Sequence, residues 1–321
     1  MNNDLSIKPN PKDTLTERLA ALSPAKRALL EQRLTKNKGS EAISDQTIPR
    51  RANREAAPLS FAQQRLWFLQ QMEPDSPFYN ITKVLQLGGS LNVNALQKAF
   101  DAIVARHEVL RTTLVSVDGN PKQFIAESRS VELPVIVVEN GKSRIEPEAG
   151  IQHLIREEAQ RLFNLSSDLM LRATLLRLEP TEHVLILAMH HIASDGWSMG
   201  ILFRELSALY DAFATDQPSP LAPLPIQYAD FAHWQRQWLT GYVLETQLDY
   251  WKKQLAGAPA LLEFPTDYPR PPIQRFQGKM ASLQLSPELT AQLKTLSQQA
   301  GTTLFMTLFA AFATLLSRYS G

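Results

Sequence analysis

Two adjacent histidines, His190 and His191, stand in the string M-H-H-I-A-S-D-G-W-S at residues 189–198. An imidazole gives and takes a proton near neutral pH without help from its surroundings. Adjacent residues at a strand end point to opposite sides, so only one of the pair faces any given cleft. There it takes a proton from an amine or hydroxyl, or hydrogen-bonds to a nucleophile and positions it. The same alternation disfavours a shared metal, because ligating histidines usually project from one face, as at i and i+4 on a helix. No other acidic or histidine cluster completes a metal site. Asp195, four residues past His191, is placed to orient the imidazole or to turn away and pair with an arginine that braces the loop. Gly196 permits a backbone conformation or a close approach that a side chain would block. Taken alone, such a pair is more often structural than catalytic.

The elements around the pair are legible. Val184 to Met189 is an almost uninterrupted apolar run, the pattern of a central strand buried on both faces. Leu171 to Leu178 reads as its neighbour across a turn at Glu179 to Glu182. From Trp197, the spacing of Leu202, Leu206 and Leu209 predicts a helix. The polar cluster therefore lies where a central strand ends and a helix begins, a place where rigid elements hold a site and the turn exposes it. Upstream, Ser60 and Gln63 form a capping box for a short helix. Tyr79 to Leu87 has strand composition, and Leu96, Phe100 and Ile103 mark a helix from Val93 to His107. Strands are predicted at Thr112 to Val117 and Gln123 to Ala126, joined by hairpin residues Asp118, Gly119 and Asn120. Val131 to Val138 reads as a further strand and Ile151 to Leu162 as a helix. Downstream lie a Pro-rich connection from Pro218 to Pro225, helices around Tyr228 to Trp238 and Leu244 to Trp251, and a second Pro-rich stretch from Pro265 to Pro272. A strand near Met280 to Leu285, a helix capped by Ser286 and Pro287, a break at Gly301 and an apolar helix from Leu304 complete the chain.

Composition narrows the classes. The chain has 321 residues, 44% of them apolar and 20% charged, so a wholly disordered or fibrous chain is excluded and about two domains are expected. Thirty-three basic and thirty-two acidic residues give a net charge of +1, without the basic excess of a nucleic-acid binder. Arg50, Arg51 and Arg54 form one tight basic cluster, which reads as solvated linker. The chain has no cysteine, which removes disulfide scaffolds, thiolate zinc sites and cysteine nucleophiles. No secretory signal pattern opens the sequence, and the apolar stretch Leu304 to Leu316 is too short for a membrane span of about 20 residues. A cytoplasmic protein without membrane or nucleic-acid partners is expected.

At this point the residues resemble the condensation domains of nonribosomal peptide synthetases, which share a fold with chloramphenicol acetyltransferase. The 189–198 string is similar to that family's H-H-x-x-x-D-G signature. S-F-A-Q-Q-R-L-W-F-L from Ser60, R-H-E-V-L-R-T-T-L from Arg106 and Y-A-D-F-A-H-W from Tyr228 resemble its first, second and fourth motifs, in order, over about 260 residues. The resemblance implies an α+β fold: a two-layer α/β sandwich lobe with a mixed sheet, followed by the start of a second similar lobe. It implies an acyl transfer in which the amine of a carrier-bound aminoacyl thioester attacks the thioester carbonyl of a donor on another carrier. His191 would face the acceptor amine, with His190 structural. Asp195 would hold the loop through an arginine, with Arg65 the first candidate and Arg111 and Arg270 the alternatives, and the Gly196 N–H would lie near the developing oxyanion. Trp197 would line the tunnel or cap the helix. No cofactor is bound by the chain itself; phosphopantetheine arrives on donor and acceptor peptidyl carrier proteins, beside an adenylation domain.

The other motif residues have plainer readings. Trp67, Phe68 and Leu69 read as helix core, Tyr228, Phe231 and Trp234 as lobe packing, and Arg106, His107 and Glu108 as a solvated helix end, with Arg111 a buried bracing charge. The intact histidines argue against the cyclization branch, and the first motif with S-P-F-Y-N-I from Ser76 resembles the type that accepts an L-configured donor. Three regions are expected: a helical hairpin and linker over 1–57, the N-terminal lobe over 58–264 and an incomplete second lobe over 265–321. The family's fifth motif is absent, so the chain as given is expected to be nearly inactive and to expose Phe305, Leu308, Phe309 and Phe312. The competing readings are another acyltransferase of the superfamily using a coenzyme A or alcohol acceptor, an epimerization domain, and a non-catalytic carrier-docking module.

Overall fold

The computed structural model describes residues 47–52, 56–138, 147–272 and 281–320; the helical hairpin expected near the start lies outside them. The apolar run becomes β7 (Glu182–His190), buried from His183 to His190. It is an inner strand of a four-stranded sheet, between β2 (Asn80–Gly88) and β6 (Leu171–Glu179), both antiparallel to it. β5 (Val135–Val137) adds to β6 in parallel, so the sheet is mixed. Burial on both faces is why this strand reads as continuous apolar sequence, not as alternation.

One face carries Leu171, Ala173, Leu175, Leu185, Leu187 and Met189 and packs against α2 (Val93–Arg106) and α4 (Gly196–Ala214) through Leu96, Phe100, Ile103, Leu202, Leu206 and Leu209. The opposite face presents Leu176, Val184 and Ile186 to Ile151, Leu154 and Ile155 of α3 (Pro147–Gln160). Beyond it, Ala188 joins Leu59, Leu66, Leu114, Phe163 and Met170 in a second cluster. A small separate sheet orders β1 (Ala56–Pro58), β4 (Asn120–Ile125) and β3 (Thr112–Val117). The β3–β4 turn has φ of 53° at Asp118 and 77° at Gly119. Two left-handed central residues suit the twist of a tight hairpin, which is what this dipeptide provides.

α1 (Phe61–Met72) begins with both halves of the Ser60/Gln63 capping box. Its buried face carries Gln63, Leu66 and Gln70, whereas Phe68 is exposed; the expected apolar core around Phe68 gives way to paired glutamines. Gln63 accepts from the Ser60 N–H, and the Gln70 amide donates to the Pro74 carbonyl. The strand expected over 131–138 shrinks to three residues. Val131 is instead held by α2, its N–H donating to Asp101 and its carbonyl accepting from Gln97, and Pro134 has no N–H to offer a ladder. α5 (Tyr228–Trp238), α6 (Gly241–Gln254), α7 (Pro287–Gln299) and α8 (Leu304–Ser320) follow. Residues 281–285 form no strand, having no sheet neighbour among the described residues, and an extended segment without one is not stable as a strand. Among the described residues no single helix is long and apolar enough to cross a membrane.

Candidate active site at the end of strand β7

β7 ends by dividing the histidine pair. His190 is 2% exposed; its ring meets the Phe163 ring edge-on at 5.8 Å and Tyr79 at 6.3 Å. Its Nδ1 accepts the Ile192 N–H at 3.1 Å, which assigns the proton of the neutral ring to Nε2. Its carbonyl accepts from the Ala193 N–H at 3.0 Å and the Ser194 hydroxyl at 3.2 Å. These bonds close the chain into a tight turn directly after the strand. Burial, reinforced by the nearby His191 and Arg172, holds the His190 imidazole down at about 4. It is therefore neutral throughout the physiological range.

His191 is the opposite case. Its N–H continues the ladder by donating to the Tyr79 carbonyl at 2.8 Å, while its side chain is exposed. One rigid strand end thus buries one imidazole and presents the next, as the alternation of a strand requires. Phe163 is braced by Arg172, whose guanidinium lies 3.8 Å from the ring centroid, 3.4 Å from Glu158, and within hydrogen-bond reach of the Leu162 and Arg161 carbonyls.

Asp195 is the N-cap of α4. Its carboxylate accepts from the Ser198 N–H at 2.8 Å, and its own N–H donates to the Ser198 hydroxyl at 2.8 Å, a reciprocal capping box. Hydrogen bonding from Ser198, chiefly from its N–H, with the Trp197 N–H adding to it, holds the carboxyl below its ordinary range. The arginine pairing expected for Asp195 is not formed among the described residues. Arg65 and Arg270 are exposed, and Arg111 faces Glu108 at 3.9 Å and donates to the Ala126 carbonyl. The physical reason is local: a cap serves unpaired helix N–H groups at no cost in chain closure. Gly196 also departs from its expected reason. Its φ is not positive, and a Cβ placed on it would meet nothing within 4 Å. As the first residue of α4, its N–H is one of those the helix ladder leaves unpaired. Trp197 is 83% exposed beside it.

Several of the remaining motif residues form an ionic frame that joins α2, α4 and α5. Glu205 of α4 is buried and accepts from Arg106 at 3.0 Å and lies 2.6 Å from His107; these neighbours draw its carboxyl below its usual range against the opposing effect of burial. Glu108 and the buried Asp230 share Arg51 at 3.1 and 3.4 Å. Arg106 to Glu108 are therefore a half-buried, ion-paired junction, not a solvated helix end. Arg50 is exposed as expected, but the Arg51 side chain is only 6% exposed, and Arg54 lies outside the described residues. Tyr228, Phe231, Trp234 and Trp238 run as a ring ladder along α5, with centroid spacings of 5.5, 6.0 and 5.0 Å, and the Tyr228 hydroxyl meets Ser60 at 3.0 Å. Sequence reasoning missed Glu205 and Asp230. The available signal was a carboxylate at an i+3 position of the Leu202, Leu206, Leu209 stripe, where charge is buried only with a partner.

A mixed sheet with a histidine turn at the end of its most buried strand, feeding a capped helix, defines the class, and the condensation-domain family matches residues 53–321. The chain belongs to that family. It is 48% identical over 269 residues to a linear gramicidin synthase of Brevibacillus parabrevis, a match covering 84% of this chain and 5% of that synthase. It is 42% identical over 310 residues to phosphinothricin tripeptide synthetase PhsC of Streptomyces viridochromogenes, covering 96% of this chain and 28% of the relative. Among solved structures, the X-domain from teicoplanin biosynthesis superposes with a TM-score of 0.75 at 30% identity, over 86% of this chain and 60% of the X-domain. The starter condensation domain of rhizomide synthetase RzmA, at 22% identity and a TM-score of 0.57 over 64% of this chain and 49% of that one, shares the fold.

Proposed function

We propose that this chain is the part of a peptide-synthetase condensation domain that supplies its catalytic histidine. The donor and acceptor would arrive as thioesters on the phosphopantetheine arms of two carrier proteins, loaded by an adjacent adenylation domain in the cytoplasm. The acceptor amine attacks the donor carbonyl, the thiolate of the donor arm leaves, and the amine proton is taken up or held by the His191 imidazole. His190 holds the turn. Asp195 caps α4, so that the Gly196 N–H lies at a helix N-terminus where developing negative charge on the carbonyl oxygen is favoured. A thioester is activated and a free amine is already nucleophilic, so positioning supplies much of the rate.

The observation that carries this reading is the division of the pair: a buried, turn-closing His190 and an exposed His191 one residue on. On this reading residues 58–264 are one lobe and residues 265–321 belong to a second. The 321 residues alone give little product, because His191 and Trp197 stand in water. The test incubates two loaded carriers with a synthetase module that contains these residues, and separately with the 321 residues alone, and follows the aminoacyl arm by mass spectrometry. A mass gain equal to the donor acyl group less one hydrogen with the module supports the reading, and its absence contradicts it. A monomeric, amide-forming preparation of the 321 residues overturns the claim that they are insufficient.

The likeness to the X-domain, solved also in complex with OxyB, favours one second reading: a binding module without turnover. Carrier or enzyme binding with no product from the intact module selects it.

A further inference from the structure

Arg51 precedes the stretch that matches the family, residues 53–321, yet it is built into the core of the motif frame. Its guanidinium reaches Glu108 at 3.1 Å and Asp230 at 3.4 Å, and its backbone N–H donates to the same Asp230 oxygen at 3.2 Å. The other Asp230 oxygen accepts the N–H of Gln227 at 2.8 Å. Gln227 in turn accepts the Glu108 N–H at 3.1 Å and donates to the Arg106 carbonyl at 2.9 Å. One cation therefore neutralises two carboxylates from elements more than a hundred residues apart, on the short helical turn Glu108–Arg111 and on α5.

That turn connects directly to the histidines. Its Leu110 carbonyl accepts the Met170 N–H at 2.8 Å, and the Met170 carbonyl accepts the His190 N–H at 3.3 Å. Each link is a backbone bond between buried residues, so a displacement of the turn has no slack in which to dissipate. We propose that Arg51 is a positioning residue for the histidine turn: by fixing Glu108 against Asp230 it sets the height of Leu110 and Met170, and through them the direction in which His191 leaves the strand. Without Arg51, Glu108 keeps, among the described residues, only the Arg111 guanidinium at 3.9 Å, and the half-buried Glu108 and the buried Asp230 are left with less positive charge than they need. The inference rests on the proposed role of His191, but its structural half is independent of any reaction.

The test uses Arg51→Met and Arg51→Lys in the 321-residue chain and in a synthetase module containing it. Lysine keeps the charge but lacks the planar fork that spans two acids. The first readout is the His191 side-chain resonances in the 321-residue chain, assigned by their loss in His191→Ala. Arg51→Met is expected to shift them and Arg51→Lys to restore part of the shift. In single-turnover transfer between loaded carriers by the module, Arg51→Met is expected to slow the bond-forming step about tenfold, within the range of such couplings, with half-saturating carrier concentration unchanged. An Arg51→Met chain that melts cooperatively with unchanged His191 resonances and an unchanged rate overturns the inference. If Arg51→Met does not fold, Asp230→Asn decides: unchanged His191 resonances in that folded variant overturn it equally. Absence of product from the wild-type module would instead count against the proposed function, and leaves the resonance test standing.

Discussion

At the scale of single residues, the histidine pair shows how one bond of chain separates two chemistries. His190 binds its proton at about 4 when folded, against an ordinary 6.5. Between those values the unfolded chain holds more protons than the native one, so stability is full above pH 6.5 and is lost as pH falls towards 4. At about 1.4 kcal/mol per unit, roughly 3 kcal/mol is at stake. Denaturant melts at pH 7.5 and 4.5 are expected to show this loss in the wild type and a much smaller one in His190→Asn, whose amide oxygen still accepts the Ile192 N–H. Equal losses in both would contradict the assignment. Asp195 carries a second expectation. As a cap, Asp195→Ala costs about 1 kcal/mol while Asp195→Asn and Asp195→Ser cost much less; were an arginine pair its purpose, Asn would be as damaging as Ala. The pair and its signature were legible in the sequence, because strand alternation alone separates the two rings. The partner of Asp195 was not, since a carboxylate three residues before a serine N–H and one beside a distant arginine look alike until the helix start is fixed.

At the scale of elements, the buried run of β7 and the stripe of α4 were readable because each is a periodic burial pattern. Val131 to Val138 and Met280 to Leu285 have strand composition, but strands are made by neighbours: in the first, Val131 is held by Asp101 and Gln97 and only Val135–Val137 pair with β6, and residues 281–285 have no such neighbour among the described residues. The ionic junction between α2 and α4 was hidden for the same reason, since Arg106 and His107 look like an exposed helix end until Glu205 arrives from ninety-nine residues downstream. Removing that carboxylate leaves the Arg106 guanidinium without its ionic partner in a largely buried place. Glu205→Ala is expected to cost about 3 kcal/mol and Glu205→Gln less, as measured by chemical denaturation. A cost below about 0.5 kcal/mol would show the junction to be dispensable.

At the scale of the whole molecule, composition bounded the class and the ordered motifs named the family, while the chain spans 5% of the gramicidin synthase it matches. The expected exposure of the last helix is present: Phe305, Phe309 and Phe312 are 73%, 60% and 55% exposed. A patch of this kind predicts binding of a hydrophobic dye and self-association that grows with concentration. Phe305→Ser with Phe309→Ser is expected to reduce both with little change in the melting of the lobe around β7; undiminished dye binding would place the sticky surface elsewhere. The proposed chemistry belongs to the turn after β7, which presents one imidazole to solvent. Its role is tested most directly by single-turnover transfer between loaded carriers, comparing the module that contains this chain with its His191→Ala variant. The variant is expected to be slower by about a hundredfold or more, the scale of a lost general base; a rate near that of the wild type would contradict a catalytic His191.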